Sequence, residues 1–190
     1  MKFSETSDLY SLNKSTYVNL RWIACSGQFL TIVIVQFLFK FQFNYLACLS
    51  VIFLTVLTNI FLNFKIKKKQ LGNIYSTAFL SFDTLQLSIL FYFTGGITNP
   101  FIFLIIVPVV FSSQYLKIKS SIFLVILTIS FLIFLTFFYY ELPHPDILHF
   151  HAPDYYFYSI PIAIVTGLIF LSYFAAKFGE ENRIRKKAFD

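Results

Sequence analysis

The chain has 190 residues, of which 57% are apolar, 21% are aromatic and only 13% are charged. Soluble domains carry about 25% charged residues, so the composition excludes an ordinary soluble domain and indicates an integral membrane protein. The net charge of +6 then serves as a topology signal that also suits anionic lipid headgroups, and we predict no nucleic-acid partner.

The first segment, residues 1–21, mixes acidic and basic side chains and precedes a full-length apolar stretch. A cleavable signal peptide would have a shorter apolar core followed by a small-residue cleavage site, and neither is visible. We therefore predict a cytoplasmic amino-terminal segment. Arg21 and Trp22 would then be ordinary interface anchors at the start of the first span.

Six apolar stretches follow, each about 17 to 22 residues long, against the ~20 residues that cross a bilayer core as a helix. Backbone groups cannot stay unpaired in lipid, so each stretch is predicted to be helical. The predicted fold is an all-α integral membrane domain of six transmembrane helices over residues 22–176. The predicted spans are Trp22–Phe39, Asn44–Phe64, Asn73–Thr94, Pro100–Leu116, Ser120–Tyr140 and Tyr156–Ala176.

The basic residues predict the orientation, because cytoplasmic loops of membrane proteins are enriched in Lys and Arg. Six crossings place every basic residue except Lys40 on one side of the membrane. Both termini are therefore predicted to face the cytoplasm.

Several polar side chains lie within the predicted spans. Cys25 and Cys48 need no role beyond that of small buried residues. Gln28, Gln36 and Asn59 are expected to form interhelical hydrogen bonds, which in membranes contribute only ~0.6 kcal/mol on average and are weak evidence for a site.

Asp83 is the only carboxylate within a predicted span, about halfway along the third one. A carboxylate at that depth is costly and marks a candidate functional site. Gln86 lies three residues later and shares its helix face. A neutral, protonated Asp83 that only packs two helices together is the structural alternative.

Between the third and fourth spans, residues 94–101 form the uncharged turn T-G-G-I-T-N-P-F. Gly95 and Gly96 free the backbone, and Asn99-Pro100 suits the start of the next helix, with Asn99 as its N-cap. The N–H groups of that first turn and the Asn99 amide are expected to face one small region. Together with Phe101 and neighbouring aromatic residues, they would suit a flat ligand with carbonyl oxygens.

The longest loop, residues 141–155, is predicted on the outer side and contains three histidines and several carboxylates. They are His144, His149, His151, Glu141, Asp146 and Asp154. Their spacing matches no closed metal site, so we assign no metal, although metal binding and a pH response both stay open.

The tail, residues 177–190, is charged and compatible with a helix that continues the last span into the cytoplasm. Glu181 precedes Arg185 by four residues, a favourable helical spacing. In the last span, Ala163 and Gly167 permit close approach of another helix and are a weak indication of dimerisation.

Two segments together resemble one family. L-R-W-I-A-C-S-G-Q at residues 20–28 resembles the start of the first span in the RegB/PrrB/ActS-type redox-responsive sensor histidine kinases. Residues 82–101 resemble the third span of that family and its G-G-x-x-N-P-F heptapeptide. All five defined positions are present here, as Gly95, Gly96, Asn99, Pro100 and Phe101.

The resemblance implies a bacterial inner-membrane sensor that binds ubiquinone at the heptapeptide, with Asp83 and Gln86 on the same side. It also implies a homodimer, a cytoplasmic kinase region that autophosphorylates on histidine, and a response regulator. The family's phosphoacceptor helix and ATP-binding domain would lie beyond Asp190, so these 190 residues are expected to supply the sensor and the start of a helical linker. The alternatives are a small transporter, a membrane enzyme, or a remnant without activity.

Overall fold

The computed structural model describes residues 10–38, 43–140 and 154–189. Its described part contains six α-helices and two three-residue strands, β1 (Ser11–Asn13) and β2 (Gln70–Gly72). The helices are α1 (Lys14–Val33), α2 (Tyr45–Lys65), α3 (Asn73–Phe93), α4 (Val107–Tyr115), α5 (Ile118–Phe137) and α6 (Asp154–Phe189). A π-helical segment, Ile34–Leu38, extends α1, and 3₁₀ turns at Gly96–Thr98 and Ile102–Ile106 precede α4.

The predicted class, an all-α membrane domain, is confirmed. Five of the described helices are long and apolar enough to cross a membrane, and the shorter apolar segment Ile102–Tyr115 corresponds to the fourth predicted span. The outer loop, residues 141–153, and Lys40 lie outside the described residues, so the predictions made for them are not addressed.

The first helix begins two turns earlier than its hydropathy suggests. Asn13 caps it, because the Asn13 side-chain oxygen accepts a hydrogen bond from the Thr16 amide at 3.2 Å, as N-cap residues do. Just before the helix, β1 pairs antiparallel with β2. The Lys14 ammonium donates to the carbonyls of Asn63 and Ile66 at the end of α2. The start of α1 is thereby tied to the α2–α3 connection.

The fourth span is shorter than the third, and this sets the position of the turn before it relative to the outer end of α3. Five 3₁₀ residues and nine α-helical ones rise roughly 23 Å, whereas the 21 residues of α3 rise about 31 Å. Asn73 fixes the cytoplasmic ends at one level, since its side chain accepts from the Lys117 amide at 2.8 Å and donates to the Ser120 hydroxyl at 2.7 Å. The turn from Thr94 to Phe101 therefore runs back from the outer end of α3 toward the middle of the helix bundle.

The helices form two groups. Helix α1 packs mainly on α2, while α3, α4, α5 and α6 pack together, with the most extensive contact between α4 and α6. Between α1 on one side and α3 and α4 on the other, the contacts are made by side chains across an open space.

The last helix runs without interruption from Asp154 to Phe189, with Pro161 inside its first two turns. Residues 177–189 of the charged tail thus continue the last span as one helix. The small residues noted above lie on this helix, where Gly167 faces Ile106 of the same chain, with a glycine Cβ position 3.9 Å from the Ile106 Cδ1.

Candidate functional site

A cavity of about 430 Å³ fills the space between α1, α3 and α4. This lies within the range of about 300–1,000 Å³ that is usual for small-molecule sites. The wall is mostly apolar. Its polar groups lie at the two ends of the cavity and in its middle. The polar or charged residues that line it include Tyr17, Arg21, Gln28, Asp83, Gln86, Thr94 and Asn99.

One end of the cavity holds an ion pair between two helices. The Arg21 Nη2 lies 2.9 Å from the Asp83 Oδ1, and the Arg21 Nε donates to the same oxygen at 3.0 Å. The Tyr17 hydroxyl donates a short hydrogen bond to the other carboxylate oxygen, and the Arg21 Nη2 also donates to the Thr58 hydroxyl at 2.9 Å. Both carboxylate oxygens of Asp83 are thus occupied, and the charge of the pair is compensated within the membrane.

The prediction that Arg21 is an interface anchor is wrong. The Arg21 side chain is only 4% exposed, and the rings of Tyr17, Phe79 and Phe82 lie 5.6 to 5.9 Å from its guanidinium carbon. Because α1 begins at Lys14, Arg21 lies about 10 Å along the helix. The spacing of Tyr17, Arg21 and Gln28, which share one helix face, is the sequence signal that identifies this polar stripe.

The middle of the cavity carries a pair of amides. The Gln86 Nε2 donates to the Gln28 Oε1 at 3.0 Å, joining α3 to α1. In the neighbouring interface, the Asn59 Nδ2 donates to the Val18 carbonyl at 3.2 Å, joining α2 to α1. The expected interhelical partners of Gln28 and Asn59 are confirmed, whereas the Gln36 Oε1 is buried and has no partner among the described residues.

The glycines of the turn have conformational roles. Gly95 and Gly96 adopt φ values of 99° and 60°, which other residues rarely adopt. Gly96 is also pressed against α5, since a Cβ there would lie 2.6 Å from the Tyr139 Cβ and 2.9 Å from the Leu135 carbonyl oxygen. Neither glycine borders the cavity, so both shape the turn.

Asn99 is bonded within the turn. Its Oδ1 accepts from the Phe101 amide at 2.8 Å, but the next helical segment begins at Ile102 with Phe101 as its N-cap residue, so the predicted N-cap role of Asn99 is wrong. Its amide nitrogen, however, donates to the Thr94 carbonyl at 3.0 Å and to the Thr94 hydroxyl at 2.7 Å. The amides of Asn99, Ile102 and Leu104 also donate to carbonyls of the turn. The expectation that these donors face a ligand is therefore not met, because the turn uses them to hold its own shape.

Phe101 is the residue of the heptapeptide that offers a ring to the cavity, with Phe91 on the facing helix. Asn99 and Thr94 contribute to the same wall, whereas Pro100 is exposed and does not border the cavity. Asp83 and Gln86 of α3 thus border the same cavity as Asn99 and Phe101 of the turn.

Of the two cysteines, Cys25 borders the cavity and Cys48 does not. Cys25 and Cys48 are free and buried, as predicted. Among residues 10–38, 43–140 and 154–189, no group of three His, Cys, Asp or Glu side chains is placed to hold a metal ion.

The fold and the cavity together define a multi-pass membrane domain with a ligand-sized space between its helices. The family model described as the PilS-like transmembrane domain matches residues 23–185, and the chain belongs to that family. It is 30% identical over 169 residues to the sensor histidine kinase RegB of Cereibacter sphaeroides. The aligned region covers 88% of this chain and 37% of RegB. No solved structure matches.

These similarities define the class of the chain. It is a RegB-type membrane sensor domain, and a multi-pass protein of the bacterial inner membrane. The chain spans little more than a third of the length of the relative that it matches.

Proposed function

We propose that this chain is the quinone-sensing membrane module of a sensor histidine kinase and that the cavity between α1, α3 and α4 takes the ubiquinone headgroup. The observation that carries the proposal is the cavity itself, in which Asp83 and Gln86 of α3 and Asn99 and Phe101 of the turn border one mostly apolar space. A quinone ring is flat and apolar, and it carries carbonyl acceptors at two edges. It therefore suits aromatic walls with a few polar groups.

The position of the cavity suits a ligand that arrives from the bilayer. Several residues of its wall are exposed on the surface that lipid covers, among them Ile23 at 68%, Val107 at 50% and Phe101 at 42%. A lipid-soluble headgroup can enter sideways between α1 and α4 without crossing the aqueous phase. The backbones of α1 and α4 make little direct contact, so no segment has to unfold for this.

The packing of α4 provides a route by which ligand binding can reach the cytoplasmic end of the chain. Helix α4 forms one wall of the cavity and packs closely on α6, which continues into the cytoplasm. At their cytoplasmic ends the Arg183 Nη1 donates to the Gln114 carbonyl at 3.0 Å, and the Arg183 guanidinium carbon lies 4.7 Å from the centre of the Tyr10 ring. A ligand that binds two positions of α4 with different affinity shifts the population between them and so moves α6.

The partners follow from this function. A cytoplasmic kinase region joined to α6 would receive the movement and pass phosphate to a response regulator. Two chains would act together as a homodimer, with the lipid bilayer supplying the quinone.

The test is equilibrium binding of a short-chain ubiquinone to the chain in lipid nanodiscs. Phe101→Ala removes a ring from the cavity wall, while Phe103→Ala removes a ring that is 55% exposed and does not border the cavity. We expect Phe101→Ala to weaken binding about tenfold, as the loss of one aromatic contact of about 1.4 kcal/mol would do, and Phe103→Ala to bind as the wild type does. Equal affinities for both variants would refute the cavity as the quinone site.

A further inference from the structure

We propose that the paired amides of Gln28 and Gln86 form the hydrogen-bonding subsite for a carbonyl oxygen of the quinone. This inference rests on the proposed function, and it assigns one carbonyl oxygen of the headgroup to the middle of the cavity. Gln28 becomes a specificity-determining residue together with Gln86.

The hydrogen-bond inventory of the pair supports the assignment. Each amide has a two-hydrogen donor and a carbonyl acceptor, and the bond between the Gln86 Nε2 and the Gln28 Oε1 uses one group of each side chain. In the part of the chain that the structure describes, the Gln28 Nε2 and the Gln86 Oε1 have no partner. Exchanging oxygen and nitrogen in both amides also leaves one donor and one acceptor free.

Both free groups are accessible from the cavity. The fully enclosed polar atoms without a partner, within the described ranges, belong to Arg21, Gln36, Asn59, Thr128 and Ser172. The free atoms of Gln28 and Gln86 are therefore in contact with open space, and both residues line the cavity. A carbonyl oxygen of the ligand can accept from the free amide hydrogen, and the hydroxyl of a reduced ring can donate to the free amide oxygen.

The other polar groups of the cavity are less suitable. Both carboxylate oxygens of Asp83 are occupied by Arg21 and Tyr17. The Arg21 Nη1 lacks a partner, but it is fully enclosed. The amide nitrogen of Asn99 is bonded twice to Thr94. The amide pair thus offers a donor that is both unpaired and reachable.

The space beside the pair admits a ring. Gly27, the residue before Gln28, also borders the cavity, and a Cβ built on it would meet no atom within 4 Å. A planar headgroup held by the amides can lie over this glycine, with Phe101 farther along the same cavity.

The experiment compares two glutamines of one helix and two ligands. Gln28→Leu removes the amide at the cavity, and Gln36→Leu makes the same substitution in the π-helical segment, which does not border it. The ligands are a short-chain ubiquinone and the dimethyl ether of its reduced form, whose oxygens are poor acceptors and carry no proton. All affinities are measured with the full chain in lipid nanodiscs.

We expect Gln28→Leu to weaken ubiquinone binding about tenfold relative to Gln36→Leu and to leave the affinity for the dimethyl ether unchanged. If Gln28→Leu weakens the binding of both ligands equally, or of neither, the subsite assignment is overturned while the cavity proposal stands. A wild-type chain that does not bind ubiquinone overturns both. The wild-type chain alone provides a further test, because equal affinities for the two ligands would also overturn the subsite assignment.

Discussion

Arg21 of α1 and Asp83 of α3 form an ion pair, with a distance of 2.9 Å between Nη2 and Oδ1, at one end of the cavity between these helices. The pair explains how a carboxylate is accommodated inside a membrane domain, because each charge compensates the other. It also fixes the separation of two helices whose backbones make little direct contact.

Breaking this pair should be costly. Asp83→Leu leaves the Arg21 charge buried without compensation, for which we expect a loss of about 3–5 kcal/mol, whereas the double variant Arg21→Met, Asp83→Leu should recover most of it. Thermal unfolding can be followed with a thiol-reactive fluorophore, since Cys25 and Cys48 are buried and react only on unfolding.

The matched control is Lys177→Ala, which removes an exposed ion pair with Glu180 and should change the stability by less than about 1 kcal/mol. A single Asp83→Leu variant as stable as this control would show that the ion pair is not structurally required.

The glycine turn should tolerate no side chain at Gly96. Gly96→Ala places a Cβ 2.6 Å from the Tyr139 Cβ at a φ of 60°, so we expect about 2–4 kcal/mol of destabilisation from overpacking and backbone strain. Gly72→Ala, where a Cβ meets no atom within 4 Å, should stay within about 1 kcal/mol of the wild type. The same thiol assay measures both, and equal melting temperatures would contradict the packing described for the turn.

Asn99 should stabilise the turn more than it holds a ligand. Asn99→Asp keeps an acceptor for the Phe101 amide but loses the two bonds donated to Thr94, for which we expect about 1–3 kcal/mol of destabilisation. The quinone affinity of the fraction that remains folded should change less than threefold. A variant with unchanged stability and strongly reduced quinone affinity would show that the Asn99 amide serves the ligand directly.

The contact between Gln114 and Arg183 should carry movement from α4 to α6. Spin labels at the exposed positions Tyr115 and Phe178, in a chain whose native cysteines are replaced by alanine, measure the distance between these helices. We expect ubiquinone to shift the distance distribution in the wild type and Arg183→Gln to reduce this shift. Arg185→Gln, on the exposed side of the same helix, is the control, and an undiminished shift in Arg183→Gln would exclude this contact from the coupling.

The sequence was sufficient to predict the helices and their approximate bounds, because uncharged stretches of bilayer length permit little else. Asp83 and Gln86 of the third span line one cavity with Asn99 and Phe101 of the turn, and the binding role that the sequence predicts for them stays a prediction. The start of α1 at Lys14 lies two turns before the predicted start of the first span, because Lys14 and Arg21 lower the hydropathy there. The sequence does not reveal that Arg21 forms an ion pair with Asp83, nor that the Asn99 amide donates to Thr94, since both contacts depend on tertiary distances.

The most direct test of the central claim is photo-crosslinking of the chain in lipid nanodiscs with an azido-substituted ubiquinone, followed by mapping of the labelled residues. Our account predicts labels on the cavity wall, at α1 residues such as Ala24 and Gly27 and at Phe101, which excess ubiquinone abolishes. Labels confined to the opposite face of α1, around Trp22 and Phe29, or labels that excess ubiquinone does not remove, would contradict it.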